Sequence, residues 1–216
     1  MAGPRKGSAV MTRCMACSLL GAFAMVLLLG AGWGDDWVTI RAAAANVHAV
    51  RANFVQEKHL PILTRPLRSE GTFAYRRPDA IRWEYRSPVE SILQLKGPDV
   101  RRFLRQDGSW VPETGGQTEA MRMVLDEIAG WLGGSFDGSD DYSAELKPGT
   151  PTTIELVPRE EQVRRFVTRV VLTLAETPGV FQSIEIFEGD DAWTKIEFRD
   201  VELNPDLPDE LFTDSP

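Results

Sequence analysis

The amino-acid sequence predicts an α+β fold, an incomplete antiparallel β-barrel (half-barrel) with helices covering an apolar cavity. Short segments of alternating apolar and polar residues follow one another too closely for helices between them, so their connections are hairpins. Two stretches with helical spacing interrupt this series. A long antiparallel sheet must curl, and its concave face must be covered. The two helices are the cover that the sequence offers.

Residues 1–34 have the pattern of a secretory signal peptide. Basic residues and no acidic residue precede an apolar run from Met15 to Ala31, which ends in small residues before Asp35. The alternative is an N-terminal membrane anchor, because the run is near the lower length limit for spanning a bilayer. The small residues and the abrupt acidic pair favour cleavage. We therefore expect a soluble mature domain of residues 35–216.

Both cysteines, Cys14 and Cys17, lie within the predicted leader. The mature chain would then contain no disulfide, no catalytic thiol and no cysteine metal ligand. A lipid anchor requires a cysteine directly after the apolar run, and neither cysteine stands there. The net charge of −8 argues against nucleic acid as a partner and against strong adhesion of the whole molecule to anionic lipid.

The first half of the mature chain predicts one helix and then a series of strands. Asp36 is a good N-cap, and apolar residues recur at helical spacing from Trp37 to Val50. From Arg51 the period changes to two, and the two prolines within Leu60 to Pro66 indicate a loop. Further strands are predicted at Leu67 to Arg76, Ile81 to Tyr85, Ser91 to Lys96 and Val100 to Arg105.

The second half predicts one more helix and five more strands. The helix covers Thr118 to Leu132, and Gly133-Gly134 is a typical C-cap. About ten strands and two helices are expected in one domain. The strands after this helix are predicted at Tyr142 to Leu146, Thr152 to Val157, Phe166 to Leu174, Val180 to Phe187 and Trp193 to Leu203.

The mature sequence contains no recognisable catalytic or metal-binding pattern. Its two histidines, His48 and His59, have no metal-ligand spacing, and no Gly-x-Ser-x-Gly motif occurs. Acidic pairs such as Asp126-Glu127 fall where a solvated role is commoner than a catalytic one. We therefore predict no enzymatic activity, no cofactor and no bound metal.

Apolar residues on the predicted concave face are the candidate binding residues. They can simply fill a core, and for any one of them that is the commoner role. A half-barrel covered by only two helices cannot fill itself completely, however, which leaves a cavity for an apolar ligand. The candidate cavity residues are Phe54, Phe73, Tyr75, Ile81, Trp83, Leu93 and Phe103, with Leu95 on the same predicted surface.

Several motifs resemble the outer-membrane lipoprotein carrier family, LolA. Phe54-x-Gln56 is similar to an early strand of that family, and the central motif runs from Gly71 through Phe73, Tyr75 and Arg77-Pro78 to Trp83. Leu211-Phe212 follows near the end of the sequence in the expected order. The resemblance covers nearly all of the mature chain, and the order and spacing of the motifs make it fairly specific.

The resemblance implies an incomplete barrel with a helical lid over a cavity that holds lipoprotein acyl chains. Arg77 matches the arginine that ties the lid shut through hydrogen bonds to backbone groups, and Arg76 is a second candidate for this role. Ile81 falls near the cavity mouth. The lid would include the helix that carries Met121, Leu125 and Ile128.

The implied function is that of a periplasmic chaperone that carries lipoproteins from the inner to the outer membrane. An inner-membrane lipoprotein-releasing ABC transporter would load it, and an outer-membrane acceptor or the membrane itself would receive the cargo. We expect a monomer. The alternatives are a LolA-like carrier of another lipid and an envelope-stress sensor of the RseB type.

Overall fold

Eleven antiparallel strands form one sheet in a computed structural model, which describes residues 34–113, 117–136, 141–189 and 191–215. Apart from Gly34, the predicted signal peptide lies outside these residues. The helices are α1 (Trp37–Ala45), α2 (Gln117–Leu132), α3 (Glu161–Arg164) and α4 (Glu210–Thr213). The strands are β1 (Ala49–His59), β2 (Leu67–Arg76), β3 (Ala80–Ser87), β4 (Ser91–Lys96), β5 (Asp99–Gln106), β6 (Ser109–Glu113), β7 (Tyr142–Lys147), β8 (Thr153–Pro158), β9 (Val167–Leu174), β10 (Phe181–Glu188) and β11 (Trp193–Leu203).

The sheet consists of two meanders joined edge to edge. Its strand order is β6-β5-β4-β3-β2-β1-β11-β10-β9-β8-β7, so every neighbouring pair except β1 and β11 is also consecutive in sequence. β6 and β7 are the two edges, which leaves the barrel incomplete as predicted. Buried residues of both meanders share one core with α2, so the sheet wraps around this helix and has a concave face.

The first helix is capped as predicted but ends earlier. The Asp36 Oδ1 atom accepts hydrogen bonds of 2.8 Å from the backbone N–H groups of Val38 and Thr39. The helix stops at Ala45, and β1 already begins at Ala49, whereas the sequence predicted helical spacing through Val50. The Asn204 side chain accepts a hydrogen bond of 2.7 Å from the His48 N–H, which holds this segment in the sheet.

One strand and two short helices were not predicted. β6 follows a turn at Asp107 and Gly108, but its five residues include Pro112, which argues against a strand. The proline is tolerated because β6 lies at the sheet edge and has a partner only on the β5 side. The helices α3 and α4 each contain four residues, too few to show a helical period.

α2 crosses the concave face and packs its apolar side against both meanders. Leu125, Ile128 and Leu132 are buried in the same core as Phe73 of β2 and Ile184 of β10. The helix ends at the predicted glycines, since Gly134 has a positive φ of 89° that favours glycine.

The C-terminal segment covers part of the outer, convex face. Phe212 of α4 is buried in a second, smaller core with Ala49, Ala74 and Ala80. The Gln94 side chain of β4 donates hydrogen bonds to the backbone oxygens of Leu211 at 3.3 Å and Asp214 at 3.0 Å. Among the described residues, none of the helices has the length and apolar character needed to cross a bilayer.

Candidate functional site

A cavity of about 490 Å³ lies between α2 and the concave face of the sheet. This volume is typical of sites that enclose small apolar ligands. Val124 of α2 belongs to its wall and is 51% exposed, so the cavity is open to solvent beside this helix. The wall consists of Gln56, Trp83, Tyr85, Ser91, Leu93, Arg102, Val124, Leu125, Ile128, Ile186, Thr194 and Ile196.

The few polar groups in the wall are neutral or compensated in charge. The Tyr85 hydroxyl donates a hydrogen bond of 2.8 Å to Gln56 Oε1. Burial raises the pKa of Tyr85 to about 12, although Trp83 and Gln56 act in the opposite direction, so this phenol stays protonated. Arg102 forms an ion pair of 2.5 Å with Glu113 on the edge strand. The cavity therefore presents no uncompensated charge from these side chains.

Trp83 is the central aromatic residue of the wall. Its ring packs against Phe54 and Phe73 at centroid distances of 5.0 and 5.2 Å. Its indole N–H lies beside the Tyr85 hydroxyl, but no acceptor among the described residues is at hydrogen-bonding distance and angle. One edge of the indole is thus held by packing while another faces the cavity.

Four of the candidate residues line the cavity. Trp83 of β3 and Leu93 of β4 form part of the sheet side, and Leu125 and Ile128 of α2 form part of the helix side. Phe73 instead lines a separate void of about 20 Å³ under the same helix. The side chain of Met121 lies outside the described part of the structure.

Three more candidates share the concave face but do not line the large cavity. Phe54, Tyr75 and Ile81 are fully buried in the core. Phe54 packs edge-on against Tyr85 at 5.2 Å, behind the cavity wall. These residues belong to the core that the sheet shares with α2, so they support the wall and do not line it.

Phe103 lies on the other face of the sheet, and the prediction that it faces the cavity is wrong. It is paired with Ile92, whereas its neighbour Arg102 is paired with Leu93 on the concave face. The convex face also buries apolar residues here, as Ile92 and Phe103 are both buried. Apolar character alone therefore does not identify the inner face of β5.

The part of the wall that comes from the second meander was not predicted from the sequence. Ile186 of β10 and Thr194 and Ile196 of β11 complete the cavity. Their alternation was visible in the sequence, but it does not show that β11 pairs with β1. Gln56 and Tyr85 also line the cavity. Both lie in strands that the sequence predicted, but neither was among the candidate residues.

Arg77 connects the ends of both long helices. Its Nη2 atom donates to the backbone oxygens of Ala44 at 3.3 Å and Gly133 at 3.2 Å, and its Nη1 atom donates to Ala45 O at 3.5 Å. These carbonyls lie at the C-terminal ends of α1 and α2, where backbone oxygens lack helical partners and attract cations. One side chain on the β2–β3 turn therefore links the two covering helices.

Arg76 binds a different part of the molecule. Its Nη1 atom donates to Leu207 O at 2.7 Å, its Nη2 atom pairs with Asp209, and its guanidinium lies 5.1 Å from the ring centre of Phe212. All three partners belong to the C-terminal segment on the convex face. In these interactions Arg77 binds the two covering helices, whereas Arg76 binds the C-terminal segment.

The fold and the cavity define a half-barrel protein with an open, mainly apolar cavity under a covering helix. Within the described residues, no group of three or more His, Asp or Glu side chains is placed to hold a metal ion. Residues 45–215 match the profile of the family described as outer membrane lipoprotein carrier protein LolA. The chain belongs to this family, whose members are periplasmic carriers and not enzymes.

One curated relative and several solved structures are similar to the chain. An outer-membrane lipoprotein carrier protein of Nitrosospira multiformis is 28% identical over 181 residues, which cover 82% of this chain and 83% of the relative. A LolA superfamily protein from Nitrosomonas europaea is 12% identical with a TM-score of 0.41, covering 82% of this chain and 96% of that structure. A DUF1329 family protein from Desulfovibrio piger is 11% identical with a TM-score of 0.47, covering 83% and 95%.

Proposed function

We propose that this protein is a periplasmic chaperone that binds the acyl chains of lipoproteins in its cavity and carries them from the inner to the outer membrane. Membership of the lipoprotein carrier family supports lipoproteins as the cargo class. In this proposal residues 1–34 are a cleaved signal peptide and residues 35–216 form the carrier.

The observation that carries the proposal is the open apolar cavity under α2. Each methylene group that moves from water into the cavity contributes about 0.8 kcal/mol to the binding free energy. Burial of the acyl chain therefore provides most of the affinity for a lipid. A free fatty acid or phosphate group would bring an uncompensated charge into a wall whose Arg102 is already paired with Glu113. The wall therefore favours the hydrocarbon part of a lipid.

Strong apolar binding requires a mechanism of release. We propose that Arg77 serves as the gate, because its hydrogen bonds join the C-terminal ends of α1 and α2. Leu125 and Ile128 belong to α2 and line the cavity, so displacing this helix changes the space available to cargo. The cavity could then not hold acyl chains while Arg77 keeps the lid closed.

The proposed partners follow from the direction of transport. An inner-membrane lipoprotein-releasing ABC transporter would provide the energy for loading, since opening the closed lid costs free energy. An outer-membrane acceptor or the membrane itself would take the acyl chains at delivery. The carrier would act as a monomer.

Recovery of cargo from cells tests this function. We expect mass spectrometry of the protein purified from its native periplasm to identify triacylated or diacylated lipoproteins. Trp83→Glu should lose this cargo, because the carboxylate stays hydrated in the empty cavity but is stripped of water when an acyl chain enters. Circular dichroism and thermal unfolding verify that the variant folds.

The matched control is Val111→Glu, which adds the same charge at a half-exposed position outside the cavity wall. It should retain the cargo. A wild-type protein that carries no acylated molecule, or a folded Trp83→Glu variant that carries as much as the wild type, would contradict the proposed function.

A further inference from the structure

The polar side chains of the cavity wall gather at one end of the sheet. Gln56 and Tyr85 lie within three residues of the ends of β1 and β3, while Ser91 and Thr194 are among the first two residues of β4 and β11. In this antiparallel sheet the ends of β1 and β3 adjoin the starts of β4 and β11. The strand residues of the wall that lie farther from this end are apolar, apart from Arg102. The cavity therefore has a polar end and a mainly apolar remainder.

A short series of hydrogen-bonding groups fixes the orientation of the Gln56 amide. The indole N–H of Trp83, which can only donate, lies beside the Tyr85 hydroxyl. The oxygen of this hydroxyl therefore faces a donor, and its single proton is donated to Gln56 Oε1 at 2.8 Å. Because this bond holds Oε1, the NH₂ group of Gln56 is the end of the amide that is left for another partner.

The NH₂ group of Gln56 has no hydrogen-bond acceptor within the part of the chain that the structure describes. The residue is half-buried and lines the cavity. A hydrocarbon chain that enters the cavity displaces water from these two N–H donors, and leaving a buried donor without an acceptor costs more than an ordinary hydrogen bond gains. A ligand with an acceptor beside its hydrocarbon chain avoids this cost.

The charges near the polar end favour a neutral acceptor. Lys58 follows Gln56 on β1 and forms an ion pair of 3.0 Å with Glu188, and Arg102 is paired with Glu113. A carboxylate or phosphate at Gln56 would lose its hydration beside charges that are already balanced. A carbonyl oxygen accepts the same hydrogen bonds without that cost. An acyl ester provides such an oxygen at the point where its hydrocarbon chain begins.

We propose that Gln56 donates a hydrogen bond to the carbonyl oxygen of an ester-linked acyl chain, and that Tyr85 holds the amide in the orientation this requires. The hydrocarbon then lies against the apolar part of the wall, with the ester at the polar end. Gln56 determines specificity for the ester, and Tyr85 is a positioning residue. This inference deepens the proposed carrier function and rests on it for the source of the ester, since both lipoproteins and phospholipids contain acyl esters.

Two lysophospholipids that differ at one position of the chain test the proposal. Palmitoyl lysophosphatidylcholine has an ester carbonyl, and its hexadecyl ether analogue has a methylene group in the same place. Displacement of a fluorescent acyl probe from the purified protein, below the critical micelle concentrations, gives both dissociation constants. We expect the wild type to bind the ester more tightly than the ether, on the order of tenfold, because the ether leaves the donors of Gln56 unpaired.

Two variants locate the origin of this preference. Methionine is similar in length to glutamine but donates no hydrogen bond, so Gln56→Met should bind the ester no more tightly than the ether while keeping its affinity for the ether. Tyr85→Phe keeps the ring and loses the hydroxyl, and should reduce the preference only in part, because the amide can then rotate. Circular dichroism and thermal unfolding verify that both variants fold.

The matched control is Gln106→Met, the same substitution at an exposed position of β5 outside the cavity wall. It should keep the preference of the wild type. A wild type that binds the ester no more tightly than the ether, or a folded Gln56→Met variant that keeps the full preference, would overturn the proposal. If Ser91→Ala abolished the preference while Gln56→Met retained it, the donor would be Ser91 and the assignment to Gln56 would be wrong.

The lipid that the protein carries in the native periplasm distinguishes this inference from the proposed function. Lipoproteins found by mass spectrometry, together with equal affinities for ester and ether, would reject the ester site alone. Phospholipid in place of lipoprotein, together with a clear preference for the ester, would reject the lipoprotein cargo and leave the ester site standing. Lipoprotein cargo that is reduced in Gln56→Met and retained in Gln106→Met would support both.

Discussion

At the scale of single residues, Arg76 and Arg77 are neighbours in the chain but bind opposite sides of the sheet. Arg77 reaches the ends of α1 and α2, whereas Arg76 reaches Leu207, Asp209 and Phe212 on the convex face. Successive strand residues point to opposite faces, so the pair provides two separate attachments from one strand end. Substituting either arginine therefore tests a different half of the molecule.

The contact between Arg76 and Asp209 predicts a pH dependence of stability. Hydrogen bonds from Lys96 and Arg76 lower the pKa of Asp209 below its usual value of 3.8. A lowered pKa in the folded state means that this stabilisation is present above 3.8 and is lost as the pH falls through the folded-state value. Asp209→Asn should lower the melting temperature at neutral pH, and the difference from wild type should disappear in acid.

Thermal unfolding followed across this pH range measures the effect. Asp206→Asn is the control, since Asp206 is an exposed carboxylate of the same segment. It should change the melting temperature little at any pH. A constant difference between Asp209→Asn and wild type from neutral pH to acid would show that the carboxylate charge is not what stabilises this contact.

At the scale of elements, Arg77 joins the C-terminal ends of the two long helices by hydrogen bonds. Arg77 donates to Ala44, Ala45 and Gly133, so opening α2 away from α1 requires these hydrogen bonds to break. Leucine at this position donates none. The lid of the Arg77→Leu variant should therefore open more readily. Loss of one hydrogen bond from a charged group raises the equilibrium constant for opening by about tenfold.

The expected result for Arg77→Leu is retained cargo and slower handover, because lid closure no longer competes with the acyl chains. Transfer of a labelled lipoprotein from purified carrier to acceptor membranes measures this. Arg76→Leu should transfer normally, although loss of its contacts to the C-terminal segment should lower its melting temperature. Equal and normal transfer by both variants would rule out Arg77 as the gate.

The sequence pattern located most elements, because period and turn residues are local properties. β1 and β3 to β5 were recognisable from alternation, and α2 from its apolar spacing and terminal glycines. The five residues of β6 were too few and contained a proline. The cavity was only partly predictable, because its wall depends on the pairing of β1 with β11 and, at Phe103, on which of two covered faces an apolar residue occupies.

At the scale of the whole molecule, export from the cytoplasm is the first requirement for the proposed function. We expect the mature form to be soluble in the periplasm and to begin near Asp35, because small residues precede the acidic pair and no cysteine follows the apolar run. N-terminal sequencing of the periplasmic fraction measures this. An uncleaved chain found in the membrane pellet would contradict the expectation.

The joining of the two meanders also determines how the chain must fold. Every strand pair but one forms between neighbours in sequence, whereas β1 pairs with β11 through contacts such as Val50 with Leu203. Contacts this distant form slowly, because a long loop must close before they contribute. A chain that emerges N-terminus first completes β1 to β6 while β11 is still absent. Until β11 arrives, β1 is an unpaired edge beside an uncovered apolar face, and this interval is when the newly made protein is most exposed to aggregation.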